Sequence, residues 1–232
     1  MTPALKPIET LHVLVHPGFS MNGLVVPPAK QFLPTYRAYF KGLLEVVSQV
    51  EQNDCMMFSS GELKVVRHPA AFQQHFIKGF EEGESFDVYG PLYYFKKQLK
   101  GRFFAASRQL YDQDSAIKNS YIDRRLAHLG FAMDPTSTRC RVYGESFNAC
   151  VLDHALGVNE AYNLNHPSRI VTNHTDLAAL HHEFGSGLSM EDYLRKNIFD
   201  VPPSQLLIFR RDVPDISRVE FELPNGALMK RS

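Results

Sequence analysis

The sequence predicts a single α/β domain with a doubly wound, mainly parallel sheet and helices on both faces, a three-layer α/β/α arrangement. Short apolar runs rich in β-branched and aromatic residues alternate with longer stretches of helical period, as expected when crossover helices bury parallel strands. The 232 residues suit one such unit, and 44% hydrophobic with 22% charged residues is ordinary globular usage.

Five apolar runs are predicted to form the core of the sheet. The first, LHVLV at 11–15, ends at His16-Pro17-Gly18, because proline lacks a ladder donor and glycine favours a turn. The other four lie at residues 55–60, 102–107, 139–144 and 168–174. Two later runs, at 206–209 and 218–223, lie beside prolines and an asparagine-glycine pair, which is typical of a sheet edge. We therefore expect 200–232 to form a C-terminal edge or interaction appendage of the domain.

Helical periodicity fills the intervals between these strands. Pro34 suits the first turn of a helix over 35–52, and a second helix is predicted over 115–130. A third begins near Asn148, directly after the fourth strand. Weaker patterns predict helices at 70–80, 176–184 and 189–197 and a short strand at 86–89.

Charge and hydropathy exclude several classes of partner. Lysine plus arginine equals aspartate plus glutamate at 25 each, so there is no overall field to attract nucleic acid. The short basic cluster at 96–102 is typical of a solvated helix end. No apolar run approaches the roughly 20 residues that cross a bilayer, and the N-terminus lacks the pattern of a secretory signal. We expect a cytoplasmic protein without a nucleic-acid or membrane partner.

Metal and cofactor motifs are not evident. The three cysteines lack CxxC spacing, which argues against a disulfide framework and a structural zinc site. His181-His182-Glu183, with His174 and Asp176 nearby, resembles a metal cluster in composition, but adjacent helical histidines point about 100 degrees apart. No phosphate-binding glycine loop occurs either. We expect no metal and no cofactor.

The segment GESFNACV at 144–151 is the most informative one for function. Ligands of open α/β sheets bind at the carboxyl ends of strands, and this segment joins a predicted strand to a helix. Gly144 permits a tight turn, and Cys150 falls in the first helical turn, where the helix dipole favours the reactive thiolate. The alternative is that Cys150 is a small core residue behind the sheet.

This segment resembles the nucleophile region of isochorismatase-like cysteine hydrolases, which include nicotinamidases and carbamoylsarcosine amidases. In that family a glycine precedes the cysteine by six positions, a valine follows it, and a small-residue pair lies where this chain has His154-Ala155. Upstream, SAIKNSYIDRRLAHLG at 115–130 is similar to the family helix that begins Ser-Ala-Phe. The matching positions there are Ser115, Ala116, Ile117, Ser120, Ile122, Leu126 and Gly130.

The resemblance implies that Cys150 attacks a carbonyl or nitrile-like carbon of a small-molecule substrate. It also implies a non-proline cis peptide between Glu145 and Phe147. Backbone amides around Glu145, Ser146 and Phe147 would then bind the substrate and form an oxyanion hole.

Two family partners of the cysteine are replaced in this chain. The aspartate after the first strand corresponds to His16, and no lysine occurs at 102–114, where Arg108 stands instead. An imidazole can take a thiol proton near neutral pH, so His16 is the candidate base. Arg108 keeps a positive charge but cannot shuttle protons. Alternatively, His16 caps a turn and Arg108 forms a surface ion pair.

Three functions therefore stay open. The first is a divergent hydrolase that cleaves an amide or related acyl bond through a Cys150 thioester. The second is a non-catalytic binding or interaction protein of the same fold, and the third is a redox-sensing thiol, which needs no base. The family tends to assemble, so a homo-oligomer is also expected.

Overall fold

The computed structural model describes residues 4–15, 42, 45–60, 99, 101–107, 115–144, 147–172, 189–206 and 215–231. The strands in this part of the chain are β1 (Lys6–Pro7), β2 (Thr10–Val15), β3 (Cys55–Ser60), β4 (Phe103–Ser107), β5 (Phe131–Ala132), β6 (Arg139–Gly144), β7 (Ser168–Val171), β8 (Val219–Glu222) and β9 (Leu228–Met229).

The helices are α1 (Ser115–His128), α2 (Leu152–Tyr162) and α3 (Met190–Leu194). A π-helical turn at Phe147–Val151 leads directly into α2, and another at Arg195–Phe199 continues α3. Single 3₁₀ turns lie at Pro203–Gln205 and Ile216–Arg218. Residues 45–48 are helical as well.

One seven-stranded sheet organises the fold, in the order β4-β3-β2-β6-β7-β8-β9. All neighbours are parallel except β8 and β9, which are antiparallel. The chain builds outward from β2 through β3 to β4, then returns to the other side of β2 and continues through β6, β7 and β8. The order therefore reverses between β2 and β6, the position where open α/β sheets bind ligands. A small parallel pair, β1 with β5, lies apart from this sheet.

The predicted α/β class with a mainly parallel sheet is confirmed. The five predicted core strands all lie in the large sheet, and the helix predicted over 115–130 ends two residues earlier, at His128. Within the C-terminal segment, β8 is paired on both sides and β9 lies at the edge of the sheet. The elements predicted at 70–80, 86–89 and 176–184 lie outside the described residues, as do most of 35–52 and of 206–209.

One face of the sheet, here called the apolar face, carries the main core. Residues in register on neighbouring parallel strands project to the same side, which places Val13, Val142, Ile170 and Phe221 together. All four are buried in one cluster. Helix α2 contacts β6, β7 and β8, and its buried residues recur at helical spacing, so it covers this face.

The opposite face of β6 to β9 is charged. Arg141, Arg169 and Glu220 lie in register on three adjacent strands. Glu222 accepts from Arg141 at 2.9 Å and from Arg169 at 3.1 Å, while Glu220 binds Arg169 at 2.7 Å. Lys230 forms a further ion pair with Glu220 at 3.2 Å. These five side chains, here called the ion-pair row, form a network in which each glutamate is paired with two basic side chains.

Candidate functional site

The carboxyl ends of β2, β3 and β6 meet at the point where the strand order reverses. Val15 lies in register with Ser59 on one side and with Gly144 on the other. Gly144 has a φ of 144°, in the range that favours glycine, and a Cβ there would lie 2.9 Å from the Val15 Cβ and closer still to its carbonyl oxygen. Glycine is therefore required for β2 and β6 to approach so closely.

Cys150 lies in the π-helical turn that follows β6, six residues after Gly144. π-Helical turns are uncommon and occur frequently at functional sites. Cys150 is partly buried, whereas Cys55 and Cys140 are fully buried, and none of the three, all in the described part of the chain, forms a disulfide. Burial raises the pKa of the Cys55 and Cys140 thiols to about 12. Those two thiols are core residues, and Cys150 is the partly exposed one.

A hydrogen-bonded chain of Ser59, His154 and the Cys150 carbonyl lies next to this turn. His154 Nε2 lies 2.8 Å from the Ser59 hydroxyl oxygen, and His154 Nδ1 lies 2.6 Å from the carbonyl oxygen of Cys150. Both side chains are buried, His154 at 3% exposure. Because a carbonyl oxygen only accepts, Nδ1 carries a proton, which leaves Nε2 of the neutral ring to accept from Ser59. The histidine therefore joins the end of β3 to the helix that carries Cys150.

The sequence pattern gave this pair no role. Ser59 lies at the end of a predicted strand, and His154 stands out only as half of a small-residue pair. One signal was available, since residues four apart on a helix are neighbours and His154 follows Cys150 by four. What the sequence could not give is which strand end faces that side of the helix.

Of the other residues predicted for the site, only Phe147 lies in the described part. It is the first residue of the π-helical turn, and its ring is fully buried in the apolar core. His16, Arg108, Glu145 and Ser146 lie outside the described residues, and so do the peptide bonds between Glu145 and Phe147.

A second buried polar centre surrounds His12, on the other side of the sheet from the apolar face. His12 Nε2 lies 3.2 Å from an Asp54 carboxylate oxygen, and Nδ1 lies 2.9 Å from the Tyr143 hydroxyl. Desolvation holds the pKa of His12 below its ordinary value, despite the attraction of Asp54. The Asp54 pKa is also lowered, because hydrogen bonds from His12 and from the backbone of Glu51 and Thr10 outweigh its desolvation. The centre is fully paired, which suits a structural role.

A surface cleft of about 650 Å³ lies between the α3 segment and the β8–β9 hairpin. It contains both signs of charge, but Arg195 is paired with Glu191 at 2.7 Å, and Arg231 donates to the backbone carbonyls of Ile198 and Val201. None of the residues predicted for the site lines it.

No group of three or more histidine, cysteine or acidic side chains among the described residues is arranged to hold a metal ion. The group of histidine and acidic residues around His181 lies outside the described part of the chain. None of the helices described has the length and apolar character needed to span a bilayer.

Comparison with known proteins does not assign a family. No protein-family model matches the chain, and the searches of curated proteins and of solved structures gave no match.

Proposed function

We propose that this protein is a divergent cysteine hydrolase of the isochorismatase-like type, which cleaves an amide or related acyl bond of a small molecule. One observation carries the proposal. The single partly exposed cysteine stands in the opening turn of the helix that follows β6, beside the reversal of strand order. That edge is where a substrate reaches an open parallel sheet, and the positive end of a helix favours thiolate there.

The proposed reaction has two halves. In the first, the Cys150 thiolate attacks the carbonyl carbon, and the leaving amine departs with the proton that the thiol gave up, which leaves a thioester. In the second, water attacks the thioester, the acid is released, and the thiol is restored. Under this proposal, His16 exchanges protons, Arg108 stabilises negative charge, and backbone amides of 145–147 bind the oxyanion.

The proposal includes a particular fold and assembly. The strand order and the position of α2 on the apolar face support a doubly wound, three-layer α/β/α domain with further helices on the charged side. The Gln49 side chain lies 3.4 Å from the Tyr143 hydroxyl, which brings residues beside the helical 45–48 segment near that side. We also propose a homo-oligomer in the cytoplasm.

The proposal is tested with a panel of small carboxamides and activated aryl amides. We expect measurable turnover by the parent protein and a covalent acyl adduct on the Cys150 peptide by mass spectrometry. Cys150→Ser and Cys150→Ala should each lower turnover by about a thousandfold or more, with little change in melting temperature, because Cys150 fills little core volume.

Cys140→Ala is the matched control, since it removes a cysteine that is buried in the core. It should cost stability and leave turnover unchanged. Turnover that survives both changes at Cys150 would contradict the proposal. A parent protein that turns over no member of the panel, but binds a small molecule at this edge, would indicate a binding protein instead.

A further inference from the structure

Cys150 lacks the aspartate that serves its counterpart in the family it resembles, and the structure brings a histidine close to it that the sequence did not suggest as a base. His154 lies four residues along from Cys150 and bonds to its carbonyl oxygen at 2.6 Å. Side chains four apart on an α-helix have Cβ atoms about 5–6 Å apart, so we expect the thiol in the π-helical turn to lie close to the imidazole in the first turn of α2.

When the buried His154 ring is protonated, each of its two N–H groups has a hydrogen-bond acceptor within reach. In the neutral ring, Nδ1 donates to the Cys150 carbonyl and Nε2 accepts from Ser59. If the ring takes a second proton, Nε2 donates to the Ser59 oxygen instead, and the hydroxyl hydrogen turns outward. The imidazolium is therefore fully hydrogen-bonded without any rearrangement of the helix, a condition that a buried base must meet.

The titratable groups near α2 come from the strands beneath it, from the neighbouring helix and from α2 itself. The strands bring two titratable groups to the apolar face among the described residues, the buried thiols of Cys55 and Cys140. On the neighbouring helix, Asp123 accepts from the Tyr162 hydroxyl at the far end of α2. Other titratable groups on the elements packed against α2 include Asp153 and Glu160 on α2 itself, Tyr121, Arg124, Arg125 and His128 on α1, Arg218 on the 3₁₀ turn, and Arg139, Arg141, Tyr143, Arg169, Glu220 and Glu222 on the strands.

We propose that His154, acting through the Ser59 hydroxyl, takes the place of His16 as the proton acceptor for Cys150 in the proposed hydrolase. The Cys150 S–H bond breaks and its proton passes to the Ser59 oxygen, while the Ser59 proton passes to His154 Nε2. The products are a thiolate, an unchanged serine and an imidazolium. In the reverse direction, the same groups return the proton to the leaving amine. This role rests on the proposed function but is measurable without a substrate.

The test is the pH dependence of Cys150 alkylation by iodoacetamide, followed on the Cys150 peptide by mass spectrometry. In the parent protein the rate should rise with an inflection below the ordinary thiol pKa of about 8.5. His154→Gln keeps a donor for the Cys150 carbonyl but cannot accept a proton. It should raise the inflection by at least about one pH unit, a tenfold loss of rate near neutral pH.

Ser59→Ala should shift the profile in the same direction, because it removes the relay, and Ser59→Thr should restore the parent profile, because it keeps the hydroxyl. His12→Gln is the matched control, since it also removes a buried, hydrogen-bonded histidine, but from the other side of the sheet. It should lower stability and leave the Cys150 profile unchanged.

Folded His154→Gln protein with the parent profile would overturn the inference. If that variant does not fold, a parent profile in Ser59→Ala would overturn it equally. If the parent protein turns over amides but the His154 and Ser59 variants keep the parent alkylation profile, only the role of His154 as proton acceptor is refuted. If the variants shift the profile but the parent protein turns over no amide, the hydrolase is refuted and the acid–base pair of His154 and Cys150 is retained.

Discussion

Replacing Gly144 by alanine tests whether close contact between β2 and β6 builds the candidate site. Two costs add at this position. A positive φ of 144° strains any other residue by about 1–3 kcal/mol, and a Cβ that meets Val15 adds overpacking of about 1–3 kcal/mol. We expect Gly144→Ala to lower the free energy of unfolding by about 2–6 kcal/mol in urea denaturation.

Gly130 provides the matched control for this measurement. Its φ is 85°, but a Cβ there would meet nothing within 4 Å. Gly130→Ala should therefore show the backbone cost alone, about 1–3 kcal/mol, and the difference between the two variants measures the contact with Val15. Equal destabilisation by the two substitutions, within about 0.5 kcal/mol, would refute the steric argument. A larger cost for Gly144→Ala than for Gly130→Ala would also explain why a glycine stands six positions before Cys150, because only glycine avoids the contact with Val15.

Two further predictions concern buried titratable groups. The His12 pKa is lowered in the fold, so the unfolded chain binds its proton first, and stability should fall as the pH drops below about 6.5. The Asp54 pKa is lowered too, so its contribution is present above about pH 4 and is lost as the pH falls further. Urea unfolding at pH 7.5, 5.5, 4 and 3 checks both: His12→Gln should flatten the slope between the first two values, and Asp54→Asn should flatten it between the last two. An unchanged slope in either variant would contradict that assignment. For the thiols, Cys150 should react with iodoacetamide well before Cys55 or Cys140, whose pKa is about 12, and equal slow labelling of all three would place Cys150 in the core.

The core strands were predictable because their signal is local. Each buried strand is a short apolar run bounded by residues that break a ladder, and Gly144 marks the end of β6 in the sequence itself. The helix after it was predictable for the same reason, except that it opens with a π-helical turn. The inner position of β8 was not predictable. Its prolines and asparagine-glycine suggested an edge, and only its pairing with β7 and β9 shows otherwise.

The site was less predictable than the fold because its contacts are distant in sequence. Cys150 could be chosen from its place after a strand. The bond between Ser59 and His154 joins residues 95 positions apart, and it depends on β3 lying two strands from β6. Strand order of that kind is set by packing of the whole sheet. Likewise, the two-residue strands β1 and β5 carry too little pattern to be recognised before their pairing is known.

The ion-pair row also determines how β8 aligns with its neighbour. In the observed register Arg169 lies beside Glu220. Sliding β8 by two residues in one direction would bring Arg218 beside Arg169, two like charges at one rung. Sliding it the other way would bring Glu222 beside Arg169 in place of Glu220, again a pair of opposite charges. A two-residue slip keeps every apolar side chain on its own face, so hydrophobic burial alone does not forbid it. The row disfavours the first of these two slips, so alignment of the last parallel strand depends in that direction on charge and hence on salt concentration.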